Sequence, residues 1–157
     1  MMRFPVFVLS CLLILLLASQ VRAQGTENPR AAKQYEKAVQ LYDRRDYASA
    51  LKQLDVLLED TPAYIKGWLL RADMFLDLKQ FPEAINSYSK AVSIDSAFFP
   101  PAYYIMANLY FDSEKYAEAK INYLSYLRFN PKIQAELKRA YENLKLCDFR
   151  MSLMRNP

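Results

Sequence analysis

The sequence predicts an all-α chain made of helix pairs that repeat along its length. Three observations carry that prediction. Small residues recur at a fixed interval: Ala38 to Ala72 and Ala50 to Ala84 are each 34 residues, and Ala72 to Ala107 and Ala84 to Ala119 are each 35. Aromatic residues stand about a turn away, as Trp68, Phe75, Phe81 and Tyr88 in one copy and Tyr103, Tyr110, Tyr116 and Tyr123 in the next. Two antiparallel helices need small residues where their backbones come closest and large ones beside that contact. Finally, proline falls in opening turns, at Pro29 after Asn28, at Pro82 and at Pro100-Pro101. There it costs no helical hydrogen bond.

Taken in order, residues 24–30 form a polar lead-in that ends on the Asn28-Pro29 cap. A first helix runs to about Arg44, and the Arg45-Asp46 turn leads into a second over 47–59. Asp60-Thr61-Pro62 ends it. The next pair covers 63–78 and 81–94. Asp95 to Phe99 is one residue longer than its counterpart, which accounts for the change in period from 34 to 35. The third pair covers 101–111 and 116–129, and Asn130-Pro131 is expected to cap another helix. Beyond it Leu137, Ala140, Tyr141, Leu144 and Leu146 share a helical stripe, with Lys132, Glu136, Lys138, Arg139 and Glu142 mostly off it. An array needs an amphipathic closing helix over its last core face, expected here over 132–151. Residues 152–157 read as the start of a linker.

The period and the small/aromatic alphabet resemble the tetratricopeptide repeat. The resemblance implies three repeats, over 31–64, 65–99 and 100–131, coiled as a right-handed superhelix with a C-terminal capping helix. Ala38, Ala50, Trp68, Ala72, Phe81, Ala84, Tyr88, Ala107, Tyr116, Ala119 and Tyr123 are the packing positions it implies. The first repeat departs from the pattern with Gln34 where the second has Trp68, and Ser96 stands where the flanking repeats have Pro62 and Pro131. In such arrays the first helix of each pair lines the concave face. The positions left for a partner are then Tyr35, Val39, Tyr42 and Asp43 in the first repeat. The second offers Lys66, Leu69, Asp73, Leu76 and Asp77, and the third Tyr104, Asn108, Phe111 and Asp112. These residues either form an apolar-aromatic groove edged by aspartates, suited to a peptide or helix, or pack against neighbouring helices. A chaperone-type tetratricopeptide domain would hold a C-terminal carboxylate with a Lys and Asn pair. Here those places are Tyr35 and Val39, so that clamp is missing.

The first 23 residues stand apart. A short basic start, an apolar run from Phe4 to Ala18 and Val21-Arg22-Ala23 have the layout of a secretory signal peptide cut before Gln24. The run is shorter than the ~20 residues of a membrane-spanning helix, so no permanent span is expected after cleavage. Cys11 suggests a lipoprotein as the alternative, yet the longest leucine stretch follows it, where a lipid-modified cysteine should come after the apolar core.

The whole chain holds 21 basic and 17 acidic residues, a net +4. Without residues 1–23 it holds 19 and 17, a net +2, which is no nucleic-acid footprint. There is no histidine, the commonest general base and metal ligand. Past the cut Cys147 is the one cysteine, and Gly25 and Gly67 cannot make a glycine-rich phosphate loop. The expectation is no enzyme, no cofactor, no metal and no small-molecule substrate, but a protein partner in the cell envelope.

The tail carries a second resemblance. Leu146 to Phe149 (Leu-Cys-Asp-Phe) and Met154-Arg155-Asn156-Pro157, after an exported three-repeat array, resemble the N-terminal module of a multidomain envelope family. Its members add a WD40 or TolB-like propeller and an OmpA-like peptidoglycan-binding domain, and some are associated with type IX secretion and gliding. The resemblance implies a periplasmic scaffold in such a complex. As an alternative it implies the N-terminal module of an OmpA-type protein acting in cell-wall or outer-membrane assembly.

Overall fold

The structure, a computed structural model, describes residues 28–155. The leader, its cut after Ala23 and Cys11 lie outside the described residues. Seven helices occupy the described chain: α1 Pro29–Asp43, α2 Tyr47–Asp60, α3 Ile65–Asp77, α4 Phe81–Ile94, α5 Pro101–Asp112, α6 Tyr116–Leu127 and α7 Gln134–Arg155. None of these helices is long and apolar enough to cross a membrane.

Local chemistry starts and stops each helix. The Asn28 side chain accepts from the Arg30 and Ala31 amides, with Pro29 in the first turn of α1. Asp46 caps α2 by accepting from the Ser49 amide at 3.2 Å. Such caps satisfy amides that have no partner inside the helix. The turns inside the three pairs are built alike. Arg45, Lys79 and Glu114 each adopt a positive φ, of 61, 58 and 59°. Around each, two amides return to the preceding helix, as in Lys79 to Leu76 and Gln80 to Phe75. That is the left-handed helix stop usually given to glycine. A side chain at such an angle costs about 1 kcal/mol. Lys79→Gly is therefore expected to raise the melting temperature by ~3 °C, read by circular dichroism.

Two helix starts differ from the sequence expectation. α3 begins at Ile65 rather than residue 63, because Pro62 and Ala63 are held in a turn by the Tyr64 amide bonding to the Thr61 carbonyl. Asn130-Pro131 does not cap α7. Asn130 has φ 49° and donates its amide back to Leu127, closing α6, and α7 starts three residues past Pro131 at Gln134. The helix then runs on to Arg155, taking in 152–155 of the stretch read as a linker.

The chain divides into two compact units, residues 1–67 and 68–157. In the first, Ala31, Ala38, Ala50, Leu54, Leu57, Leu58, Tyr64 and Ile65 are buried. Gly67 is needed there for close approach: a Cβ would lie 3.0 Å from Leu58 Cδ2 and 3.3 Å from Leu57 Cδ2. In the second unit one core gathers Ala72, Tyr88, Ala102 and Met106, and another Ala107, Tyr116, Ala119, Tyr123, Ala140 and Cys147. The alanines picked out by period (Ala38, Ala50, Ala72, Ala84, Ala107 and Ala119) are all fully buried.

Three packing expectations are corrected. Phe81 is 42% exposed. In the other pairs the equivalent ring meets an aromatic on the preceding helix, Tyr47 against Tyr42 at 5.8 Å and Phe111 against Tyr116 at 5.6 Å. The second repeat has Leu76 at that place. On α7, Tyr141 and Leu146 are exposed, and the buried stripe is Ala140, Leu144, Cys147 and Met151. Tyr141 and Leu146 flank Ala140 and Cys147 in sequence, which turns each ~100° off that stripe. Trp68 is half-buried, with the Arg71 guanidinium over its ring at 5.7 Å.

Candidate functional site

The first helix of each pair was expected to carry the partner contacts, and within each unit its residues divide by use. In the first unit Tyr35 packs on Tyr64 with ring centroids 5.6 Å apart, and Tyr42 meets Tyr47 edge-on. Val39 is half-buried, while Lys66 and Asp43 are exposed. In the second unit Leu69 and Leu76 lie against the core around Ala72 and Tyr88. Tyr104 sits 5.1 Å from the Tyr126 ring and 6.1 Å from Tyr123. Phe111 lies edge-on to Tyr116. Each of these rings is half-buried, with part of its surface committed to packing.

Asp73 and Asn108 have structural partners as well. The Tyr88 hydroxyl on α4 donates to Asp73, and the Tyr123 hydroxyl on α6 donates to Asn108 Oδ1 at 2.7 Å. Asn143 Nδ2 on α7 donates to the same Tyr123 oxygen at 2.7 Å. Burial pushes the Tyr123 phenol up to about 12. The equivalent places in the first repeat hold Val39 and Leu54 (34 residues before Asp73 and Tyr88), so a polar pair in two repeats is an apolar one in the third.

What the first helices leave in solvent is carboxylate. Asp43, Asp77 and Asp112 are the last residues of α1, α3 and α5, and all three are exposed. The C-terminal end of a helix already carries partial negative charge, and an acid there is unfavourable by ~0.3–1 kcal/mol. On α3 the effect is doubled, since Asp73 lies one turn before Asp77. Desolvation first, and then the Asp77 charge, raise the Asp73 carboxyl above its usual value, with the Tyr88 hydrogen bond opposing both. A raised carboxylate favours the native state less once ionised, so this contribution to stability falls as pH rises above 3.8 and returns on acidification. Asp73→Asn keeps an acceptor for Tyr88, as Asn108 already shows in the next repeat. It is expected to leave stability equal or higher at pH 7 and to flatten the unfolding profile between pH 4 and 6, roughly the carboxylate range.

Residues missed in the sequence reading sit on α7. Glu136 accepts the Tyr126 hydroxyl and Asn143 reaches Tyr123, so the closing helix is held by polar contacts as well as apolar ones. Cys147 is fully buried, and its thiol is raised by burial and by Asp148. Its position seven residues after Ala140 was the available signal for a core place.

Comparison with known proteins agrees with this architecture. The tetratricopeptide repeat family model matches residues 65–98 and 100–133. The P58(IPK) TPR domain superposes with a TM-score of 0.67 at 23% identity, over 80% of this chain and 34% of that one. The chain therefore spans about a third of that relative. The first TPR of Spaghetti (RPAP3), bound to the HSP90 peptide SRMEEVD, gives 0.64 at 21% identity, over 83% and 99%. The Yersinia enterocolitica type III secretion chaperone SycD, in complex with a peptide of the translocator YopD, gives 0.65 at 18%, over 80% and 97%. With helix pairs repeating at 34 to 35 residues, left-handed stops at matching positions and two repeats matched by the family, the chain has the all-α tetratricopeptide repeat fold with a C-terminal helix.

Proposed function

We propose that the chain is a non-catalytic protein-interaction module that holds a partner segment on the first helix of each pair. The observation that carries this reading is the repeated, exposed aspartate at the ends of α1, α3 and α5. Those three charges weaken their own helices, so a partner's cations give them a use that the fold does not. The solvent-facing parts of Tyr35, Val39, Tyr42, Leu69, Leu76, Tyr104 and Phe111 supply apolar contact beside them. The partner is then a segment with Lys or Arg flanking apolar anchors. Tetratricopeptide neighbours held with peptides support the general mode. Tyr35 and Val39, in place of a Lys and Asn pair, argue against a C-terminal acidic tail as the ligand.

Fluorescence anisotropy with two labelled peptides tests this reading. A helical peptide with leucine anchors and flanking lysines should bind, and its affinity should fall as salt rises from 50 to 300 mM, roughly a halving of the screening length. The acidic peptide SRMEEVD should not bind. Equal affinity for both, or none for the basic one, overturns the reading.

The setting belongs to the same proposal. The N-terminal basic start, apolar run and Val21-Arg22-Ala23 support export to the periplasm, with the three repeats over 31–64, 65–99 and 100–131 as the working part. The Leu146 to Phe149 and Met154 to Pro157 stretches support a place in an envelope scaffold of the type IX secretion kind, or at the front of an OmpA-type protein. Intact mass of the protein recovered from the envelope should begin at Gln24. An acylated species beginning at Cys11 would replace the periplasmic form with a lipoprotein.

A further inference from the structure

Helix α7 has two apolar stripes, and only one of them is used. The buried stripe, Leu137, Ala140, Leu144, Cys147 and Met151, advances by alternating steps of three and four, the spacing of one helix face. A second series with the same alternation runs along the far side: Ala135, Arg139, Glu142, Leu146, Phe149 and Leu153. Its last three members are large and apolar, and they are 45, 57 and 48% exposed. An apolar seam at heptad spacing, opposite a seam already packed in the unit's own core, is what a helix presents to another helix.

We propose that this seam pairs with the same seam of a second copy, the two α7 helices running antiparallel about a two-fold axis near Phe149. Charge selects the occupant and the direction. In a parallel pair Arg139 would face Arg139, and Glu142 would face Glu142, across the seam. The antiparallel register places Leu146 against Leu153, Phe149 against Phe149, and Glu142 of each copy beside Arg155 of the other. Lys138 already approaches Glu142 at 4.0 Å on the surface of one copy, an exposed pair too weak to compete with a second cation across the seam. Phe149 lies about 22 Å along the helix from Gln134, so the paired segments overlap through their apolar C-terminal halves while the charged N-terminal halves diverge. The two-fold makes the contact self-complementary and closed.

Sedimentation equilibrium of the full chain reads this directly. The expected result is a reversible monomer–dimer equilibrium in the micromolar range. Phe149→Glu should weaken dimerisation at least 100-fold while leaving the helical circular dichroism unchanged, because the side chain is exposed. Ile121→Glu, at an exposed apolar site on α6, should leave the dimer intact. Glu142→Lys and Arg155→Glu should each weaken it several-fold, and the two together should restore it. A monomer at 200 µM, or a Phe149→Glu chain that dimerises as well as the parent, overturns the proposal. Loss in both single charge variants without recovery in the double overturns the antiparallel register.

Discussion

Tyr123→Ala is expected to cost about 3–5 kcal/mol, the range for deleting a fully buried aromatic side chain. That is a large part of the roughly 5–15 kcal/mol that holds a domain folded. The ring is fully buried in the core formed by α5, α6 and α7. Its hydroxyl is the one oxygen shared by Asn108 and Asn143, so it joins three helices. Tyr123→Phe isolates the polar share of the effect. The ring stays, both asparagines lose a partner, and the cost should be ~1–3 kcal/mol. Chemical denaturation monitored by circular dichroism checks both numbers, and the order Ala worse than Phe is required.

The same hydroxyl sets an alkaline limit. Its phenol titrates at about 12 in the folded chain against 10.0 for the free group, with burial as the main cause. Between those values the unfolded chain loses the proton and the native chain keeps it. Stability therefore falls as pH rises above 10 toward 12. Tyr126, raised by burial and by Glu136, acts in the same direction. Tyr123→Phe should flatten this slope while lowering stability at pH 7.

Much of this core was legible because its spacing is set by helix geometry. Ala38, Ala72 and Ala107 had to recur with the repeat, and all three are fully buried. Polar partnerships were less legible. Nothing in the residue types says that Asp73 and Asn108 answer the same demand, a hydroxyl acceptor for a tyrosine fifteen residues on. That identity depends on how two antiparallel helices bring those positions together. The closing helix was read with its stripe displaced because Tyr141 and Leu146 are larger and more apolar than Ala140 and Cys147. Size misled there. The three-four spacing of the smaller residues gave the true face, and it also left Leu146 on the outer seam. The first-helix aromatics carried two open uses, and the structure shows one of them: the rings of Tyr35, Tyr42, Tyr104 and Phe111 each meet another ring in their own unit.

That division of labour determines how the binding reading is best attacked. Replacing Tyr35, Leu69 and Tyr104 by alanine would remove packing together with contact, so a loss of binding would say little. The aspartates separate the two. Asp43, Asp77 and Asp112 are exposed, and each ends its helix where negative charge is unfavourable. Converting all three to lysine should therefore strengthen the helices, by about 0.3–1 kcal/mol at each end. On α3 it also replaces the Asp77 charge that presses on Asp73. For a basic partner the same change turns three attractions into three repulsions. At roughly 1 kcal/mol for each exposed site, the total is close to 3 kcal/mol, or about 100-fold in affinity. Thermal melting and anisotropy with the lysine-flanked peptide should then move in opposite directions: a higher melting temperature and a lost complex. A variant that unfolds more easily and binds less would mean that the carboxylates serve the fold, and one that binds unchanged would remove them from the interface.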